Sequence, residues 1–550
     1  MKRLFVYIVI VFASFLVSCS KFLDIKPTTF VSEALIWEDK ALIDQFVANI
    51  YGNLLCGFNR KTSGGNWSAA FGGNFDAGTD DFDGKPDAAT NQFNTNEITA
   101  GNCPFIEELW NSSYTIIRKC NMLIEQLPGV PDNKVLPEIK ERYLAEAHFL
   151  RAYSYFELIK TFGKVPFIDH VQNLDEDLLV KPTGFGDMVS FICDECDEWY
   201  NKLYKEVPAN QIGHASQGAF MALKAKALLY WASPLNNPDN DLSRWAAAAE
   251  AADAVRKLGI YELYKKGDWP YFNQAFDETT DNKEVIFARR FQFPEMTNCI
   301  HMQWSYDPQK SDRGSWNGLY PTQNLADAFE TTDGKAITDP TSIYDPQNPY
   351  ANRDSRFYQC LIYHGMTWED YPVRMDICTP SSTHARCGYG LRKFIEEHIG
   401  PASDLYVGVF AQDNDCPLFR YSEILLNYAE AMNETQPTPG AEVYAAINEI
   451  RSRSGQPDLP TGLSREEMRT RIHNERRIEL LLEEHRFFDL RRWKRADILR
   501  EPIRGMTVKQ NNDGTFIYTV VEIEKRQFTE DHYYLPIPLS EQEKNPYLAE

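Results

Sequence analysis

The residues best placed to do chemistry in this sequence are aromatic rings set among small and amide side chains. Between Cys56 and Cys103 the chain holds eight glycines and seven asparagines, with Trp67, Phe71, Phe75, Phe82 and Phe93 spaced among them. A second irregular stretch, 261–416, carries Trp269, Tyr271, Trp304, Tyr306, Trp316 and Tyr320 among many prolines and aspartates. A sugar ring has a face of axial C–H groups that packs on an aromatic plane, while its hydroxyls need amide, carboxylate or guanidinium partners at the edge. Asn66-Trp67, Tyr306-Asp307 and Arg313 near Trp316-Asn317 offer both kinds of group. Asn66, Trp67, Phe71, Tyr271, Trp304, Tyr306, Arg313, Trp316 and Asn317 are therefore the expected glycan-binding residues. Any single ring is more often a plug beneath a long loop than a platform. The expectation is that at least two of them line a binding surface.

Other constellations point away from catalysis. The chain has no G-x-S-x-G, no H-E-x-x-H and no glycine-rich phosphate loop followed by Lys-Ser/Thr. Carboxylate pairs for glycoside hydrolysis are spatial, so 79 acidic residues make every candidate pair cheap. No enzymatic activity is expected. Asp80-Asp81-Phe82-Asp83-Gly84 suggests a calcium loop, but with Gly84 in sixth place the first and twelfth positions fall on Thr79 and Thr90. Neither carries a carboxylate. A solvated acidic turn is the expectation, calcium the alternative, and no cofactor or metal site is assigned. Cys193 and Cys196 form a C-x-x-C on a helical stretch without the further ligands a zinc site needs. The segment 475–494 alternates acids and bases. As a helix it sets Glu475, Glu479 and Glu483 on one side with Arg476 and Arg477 between, and arginine forks binding carboxylates to hold helices in register is the expected role.

The elements that must carry these groups are mostly helical. Apolar residues recur at three- and four-residue spacing over 36–55, 106–127, 139–162, 187–203, 216–231, 245–258, 421–432, 443–453 and 465–484. Pro128-Gly129, Gly163 and Pro234 supply stops. Alanines at 145, 147, 152, 222, 225 and 227 would let helices cross closely. Starts near 216, 245, 421 and 443 suggest pairs of roughly tetratricopeptide length, although the period is broken. The fold class expected is mainly α: an irregular tetratricopeptide-like scaffold of helix pairs with a loop-rich, minor-β half for the ligand.

With 550 residues at 43% apolar the chain can bury a large core, so disorder and a small disulfide-stapled fold are ruled out. A formal charge of −22 and the lack of a basic stripe exclude nucleic acid as a partner. Lys2 and Arg3 precede a mostly apolar run over 4–16, shorter than the ~20 residues of a spanning helix and suited to a secretion signal. Leu16-Val17-Ser18-Cys19 resembles the lipobox of bacterial lipoproteins, which implies cleavage after residue 18 and acylation of Cys19. Each buried methylene contributes about 0.8 kcal/mol, so several acyl chains anchor a protein almost permanently. The organisation expected is a signal peptide at 1–18, an N-terminal helical region at 19–260 with the Gly/Asn-rich loop at 56–103, an irregular insert at 261–416 and a C-terminal helical region at 417–550.

Together these stretches resemble the SusD/RagB family of outer-membrane nutrient-uptake lipoproteins. The resemblance begins at Cys19-Ser20-Lys21-Phe22-Leu23-Asp24-Ile25-Lys26-Pro27 and passes through Ala145-Glu146-Ala147-His148-Phe149-Leu150-Arg151-Ala152-Tyr153 and Phe162-Gly163-Lys164-Val165-Pro166. It continues at Arg420-Tyr421-Ser422-Glu423-Ile424-Leu425-Leu426-Asn427-Tyr428-Ala429-Glu430-Ala431, is most specific at 475–494, and closes with Pro536-Ile537-Pro538 and Asn545-Pro546. The Asn-Pro-Gly-Tyr-like tail of many members is missing from this sequence. The resemblance implies a lipid-anchored protein exposed on the cell outer membrane. It also implies a partner, a SusC-like TonB-dependent β-barrel transporter, and an oligosaccharide or polysaccharide ligand passed inward without chemistry. Some relatives bind peptide instead, which leaves a peptide-binding lid as the alternative.

Overall fold

The structure, a computed structural model, describes residues 33–59, 74–84, 91–265, 282–292, 295–298, 300–306, 318–368, 371–380, 385–395 and 412–549. Its longer helices are α1 (Lys40–Gly52), α2 (Pro104–Gln126), α3 (Pro137–Phe162), α4 (Phe185–Trp199), α5 (Gln217–Ala232), α6 (Leu242–Lys257), α7 (Tyr421–Thr435), α8 (Ala441–Arg453), α9 (Arg465–Glu479) and the short α10 (Arg486–Arg492). Local chemistry sets their ends. Pro104 and Pro137 occupy first turns, where a missing N–H costs nothing. Asp39, Ser216 and Asp241 accept from the first backbone N–H groups of α1, α5 and α6. Ser464 and Glu467 form a reciprocal capping box on α9. At the far end of α3, Gly163 takes φ +78° against the ring of Tyr534, a conformation and a proximity that a Cβ would forbid.

Helices α2 to α6 each pack on the next in sequence, and α6 packs on α7 across the insert between them. Helix α7 in turn contacts both α8 and α9. Over 145–156 helix α3 is buried on every side, with Ala145, Phe149, Leu150, Ala152, Tyr155 and Phe156 in the main core, so it serves as the central post of the array. Burying each large apolar side chain there contributes roughly 1.5–3 kcal/mol. Small residues let α5, α6 and α7 approach: Ala232, Ala248, Ala249 and Ala431 share one cluster with Leu229 and Trp245. Among the described residues no helix is long and apolar enough to cross a membrane. The array has the irregular tetratricopeptide-like character its spacing predicts.

A second core lies beside the helices and is built from short strands and turns. Strand β1 (Phe82–Gly84) pairs antiparallel with β3 (Leu319–Pro321), and β2 (Val285–Arg289) with β4 (Cys416–Arg420). A hairpin, β5 (Ile503–Gln510) and β6 (Phe516–Glu524), pairs Gly505 with Val521 and Gln510 with Phe516. This hairpin lies within 417–550, the region expected to be helical, and adds strands to its helices. Its cause is legible in retrospect: β-branched and aromatic residues on both sides of Asn511-Asn512-Asp513-Gly514 favour a reversal, and Gly514 has φ +88°. The second core gathers Phe58, Phe82, Phe329, Phe357, Tyr389 and Phe394, with Leu481 and Leu482 from beyond α9 and Met506 and Val508 from β5.

Candidate functional site

The rings expected to bind sugar divide into two groups. Asn66, Trp67, Phe71, Tyr271, Arg313, Trp316 and Asn317 lie outside the described residues, as does Cys19. Trp304 and Tyr306 are described, and neither is a solvent-facing platform. Trp304 is 1% exposed and meets Phe58 edge to face at 5.8 Å. Tyr306 is 3% exposed and lies so close to Gly390 that a Cβ there would come within 2.5 Å of the tyrosine Cβ. Both rings are core residues, because the apolar floor beneath the insert needs filling and a stacked sugar needs an open face. As exposed platforms they are withdrawn.

Their position is nevertheless informative. The described residues that immediately precede 60–73, 307–317 and 396–411 include Phe58, Trp304, Tyr306, Phe394 and Ile395, all in the second core. Phe58 touches both Trp304 and Phe394, the latter at 5.0 Å. The described residues that follow each segment are pinned nearby. The Gly318 N–H donates to the Gln303 carbonyl at 2.7 Å. Asn298 and Gln412 exchange backbone hydrogen bonds at 2.8 and 3.0 Å, and the Gln412 side chain accepts from the His301 N–H. Gly57 faces Asn74, and the Asn59 side chain closes the turn by bonding Cys56 and Leu54. Tyr264 and Glu284 flank 266–281 in the same way, the Tyr264 N–H donating to the Glu284 carboxylate at 2.8 Å. Phe58, Tyr264, Tyr306 and Ile395, which precede 60–73, 266–281, 307–317 and 396–411, thus all belong to the second core.

Beneath that floor runs a network of buried charges. Arg420, at the end of β4, donates to Glu284, Glu479 and Glu483, each at 2.7 Å. Arg453, ending α8, reaches Glu284 at 2.7 Å and also Glu479. Arg356 joins Glu475 at 2.6 Å and Glu479 at 3.2 Å, while Lys393 joins Glu483 at 2.8 Å. Burial alone would push the Glu479 carboxyl up, but Arg453, Arg420 and Arg356 together hold it well below the usual carboxylate range. Burial likewise opposes ionisation of Glu483, and Arg420 and Lys393 outweigh it. The 475–494 segment is therefore a structural clamp, as its pattern of acids and bases predicts. Sequence reasoning identified only its local half. Arg356, Lys393, Arg420 and Arg453 come from four other elements, and no spacing rule connects them to α9.

The acidic turn at 80–84 requires a correction of a different kind. It is buried: Asp80, Asp81 and Asp83 are each at most 2% exposed. Arg486 binds Asp80 through two bonds at 3.0 Å, Arg477 binds Asp81 at 2.6 Å, and the Arg386 guanidinium stands 3.1 Å from Asp83. Solvation by water is replaced by guanidinium forks from residues roughly 300 to 400 positions away. Among the described residues no group of three His, Cys, Asp or Glu side chains is arranged to hold a metal ion. Two clefts also open on the described surface. One of about 700 Å³ is lined by Trp110, Tyr114, Leu178, Leu179, Asn545 and Leu548. The other, of about 960 Å³, lies between α7, α9 and the chain after α10. Neither includes an expected glycan-binding residue.

The sequence profile described as "SusD family" matches residues 283–550, and one described as "Starch-binding associating with outer membrane" matches residues 21–206. The chain belongs to the SusD/RagB family. Relatives within SusD/RagB match along most of its length. SusD-like protein P38 of Formosa agariphila is 24% identical over 528 residues, which covers 91% of this chain and 93% of that one. The starch-binding protein SusD of Bacteroides thetaiotaomicron is 24% identical over 363 residues, 62% of this chain and 61% of the relative. The crystal structure of a SusD-like carbohydrate binding protein from Bacteroides fragilis superposes with a TM-score of 0.77 at 25% identity, covering 93% of this chain and 99% of that one. The helical array with a second core of short strands and turns is thus the SusD fold.

Proposed function

We propose that the protein is a non-catalytic, surface-exposed lipoprotein, tethered through Cys19, that binds oligosaccharide or polysaccharide and delivers it to a TonB-dependent outer-membrane transporter. One observation carries this reading: both halves of the chain match SusD-type profiles, the N-terminal one described as starch-binding and associated with the outer membrane. The second core supports it, because it holds the residues preceding 60–73, 266–281, 307–317 and 396–411, and a binding surface keeps its geometry only if its supports do not move relative to one another. The paired state of the buried carboxylates supports capture without chemistry, since a general acid or base must meet its substrate.

The ligand arm is tested by calorimetry of residues 20–550 against soluble glycans of several classes. Trp67→Ala and Trp316→Ala should each weaken binding about tenfold with the melting temperature unchanged, the loss of one stacking ring costing ~1.4 kcal/mol. Binding of none of the glycans, alongside binding of peptides, would overturn the carbohydrate reading in favour of a peptide-binding lid. The delivery arm is tested separately, by whether an outer-membrane β-barrel co-purifies in detergent with the acylated protein. Recovery of the lipoprotein alone counts against it.

A further inference from the structure

Two buried thiols that sugar binding does not use stand side by side. Cys56 follows α1 at 2% exposure, and Cys416 opens β4 at 6%. Both line one small cavity next to Glu483 and Glu484. Arg289 fixes the approach. It sits opposite Cys416 in the β2–β4 ladder, and its guanidinium donates to the carbonyls of Leu54 at 3.1 Å and Gly52 at 3.0 Å, just before Cys56. Burial, and then the Cys56 thiol beside it, push the Cys416 thiol well up. The place is also mechanically important, because Cys56 begins the tight turn from which the chain departs at residue 60.

We infer that Cys56 and Cys416 are joined by a disulfide in the exported protein, a staple that fixes the base of the 60–73 segment to β4. The inference rests on the proposed surface location, because disulfides persist only in an oxidising compartment. The two thiols give up two protons and two electrons. The electrons pass to an incoming disulfide, that of a protein dithiol oxidase or of oxidised glutathione, which leaves as two thiols after a mixed-disulfide intermediate. Exchange needs a thiolate, and burial disfavours one at Cys416, so the bond forms while the chain folds and is afterwards shielded from reductant.

The full chain after its leader, secreted into an oxidising periplasm, is denatured in iodoacetamide and digested without reductant. A Cys56 peptide linked to a Cys416 peptide, two hydrogens lighter than their sum, is expected, with Cys103, Cys120, Cys360 and Cys387 alkylated. Alkylation of both Cys56 and Cys416 overturns the inference. A second arm refolds reduced, unfolded protein in a series of oxidised and reduced glutathione. Linkage there but not in the secreted sample locates the error in the exported setting and overturns the staple; linkage in neither overturns the pairing itself. Protein refolded without oxidant, and so unlinked, should melt about 4 °C below the linked protein. Cys416→Ser should abolish both the link and that difference, and the peptide map of the parent decides the matter if the variant does not fold.

Discussion

Replacing Trp304 with alanine separates two roles for one ring. If the side chain holds the floor of the loops, its loss removes a fully enclosed indole, 1% exposed and packed edge to face on Phe58. Truncations of that size in a packed core cost about 3–5 kcal/mol, because the lost transfer energy and the residual cavity add. Unfolding entropy of about 2.1 cal/mol/K per residue over about 530 residues comes to about 1.1 kcal/mol/K, so the melting temperature should fall by ~3–5 °C. Glycan affinity should fall too, but through the loop bases rather than through a lost contact, and Trp304→Phe should recover part of both. The assay is differential scanning calorimetry paired with a glycan titration of the same samples. An exposed platform would behave in the opposite way: a tenfold weaker complex, about 1.4 kcal/mol, with the melting temperature moved by less than ~1 °C. That outcome would refute the placement of the ring in the core.

Two further perturbations address the buried charges. Glu479→Gln leaves Arg420, Arg453 and Arg356 facing a neutral partner at a site with no exposure, and should destabilise by about 3–5 kcal/mol in urea denaturation. A loss below ~1 kcal/mol would mean that the clamp is not holding the elements. Asp83→Asn tests pH linkage. Burial, opposed by Arg386 and reinforced by Glu524, pushes the Asp83 carboxyl up to about 7. A raised carboxyl binds its proton more tightly when folded, so its burden on stability is absent below the unfolded value near 4, grows as pH rises to about 7 and is constant above. The variant should therefore gain on the parent across that window, and between pH 5 and pH 8, about two units of it, the difference between their denaturation curves should grow by roughly 2.7 kcal/mol. A difference that does not change with pH would show that Asp83 ionises freely.

Helix periodicity made much of the scaffold legible, since α2, α3, α5, α7 and α8 coincide closely with the spans expected from apolar spacing, whereas α9 stops at Glu479, five residues short of its expected end, and Glu483 lies in the turns beyond it. The 475–494 clamp was readable because half of its charges are local. What could not be read has a common cause in sequence distance. Asp80 to Asp83 look like a solvated turn until Arg477, Arg486 and Arg386 are placed beside them, and no local pattern announces that pairing. Trp304 and Tyr306 share the composition of surface rings yet lie buried in the second core, and composition does not distinguish the two. The β5–β6 hairpin is different, because its turn residues and β-branched flanks carried the signal and a helical reading of the whole C-terminal region overrode it.

The arrangement suggests why so many charges lie under the loops when apolar side chains would fill the same space. A buried ion pair contributes little net stability over a well-packed hydrophobic substitute, but a bidentate guanidinium accepts its carboxylate in few orientations. Here those orientations are used at the loop bases. Lys393 precedes Phe394, Glu284 closes 266–281, Arg420 ends β4 not far beyond 396–411, and Glu484 binds the Phe75 N–H on the return from 60–73. Glu479 and Glu483 bind two of these four, Lys393 and Arg420, and Glu284 shares Arg420 with them, so a displacement of one strains a shared partner rather than passing unnoticed. An apolar floor of equal volume would tolerate sliding. In this protein the charge clamp supplies registration among segments far apart in sequence.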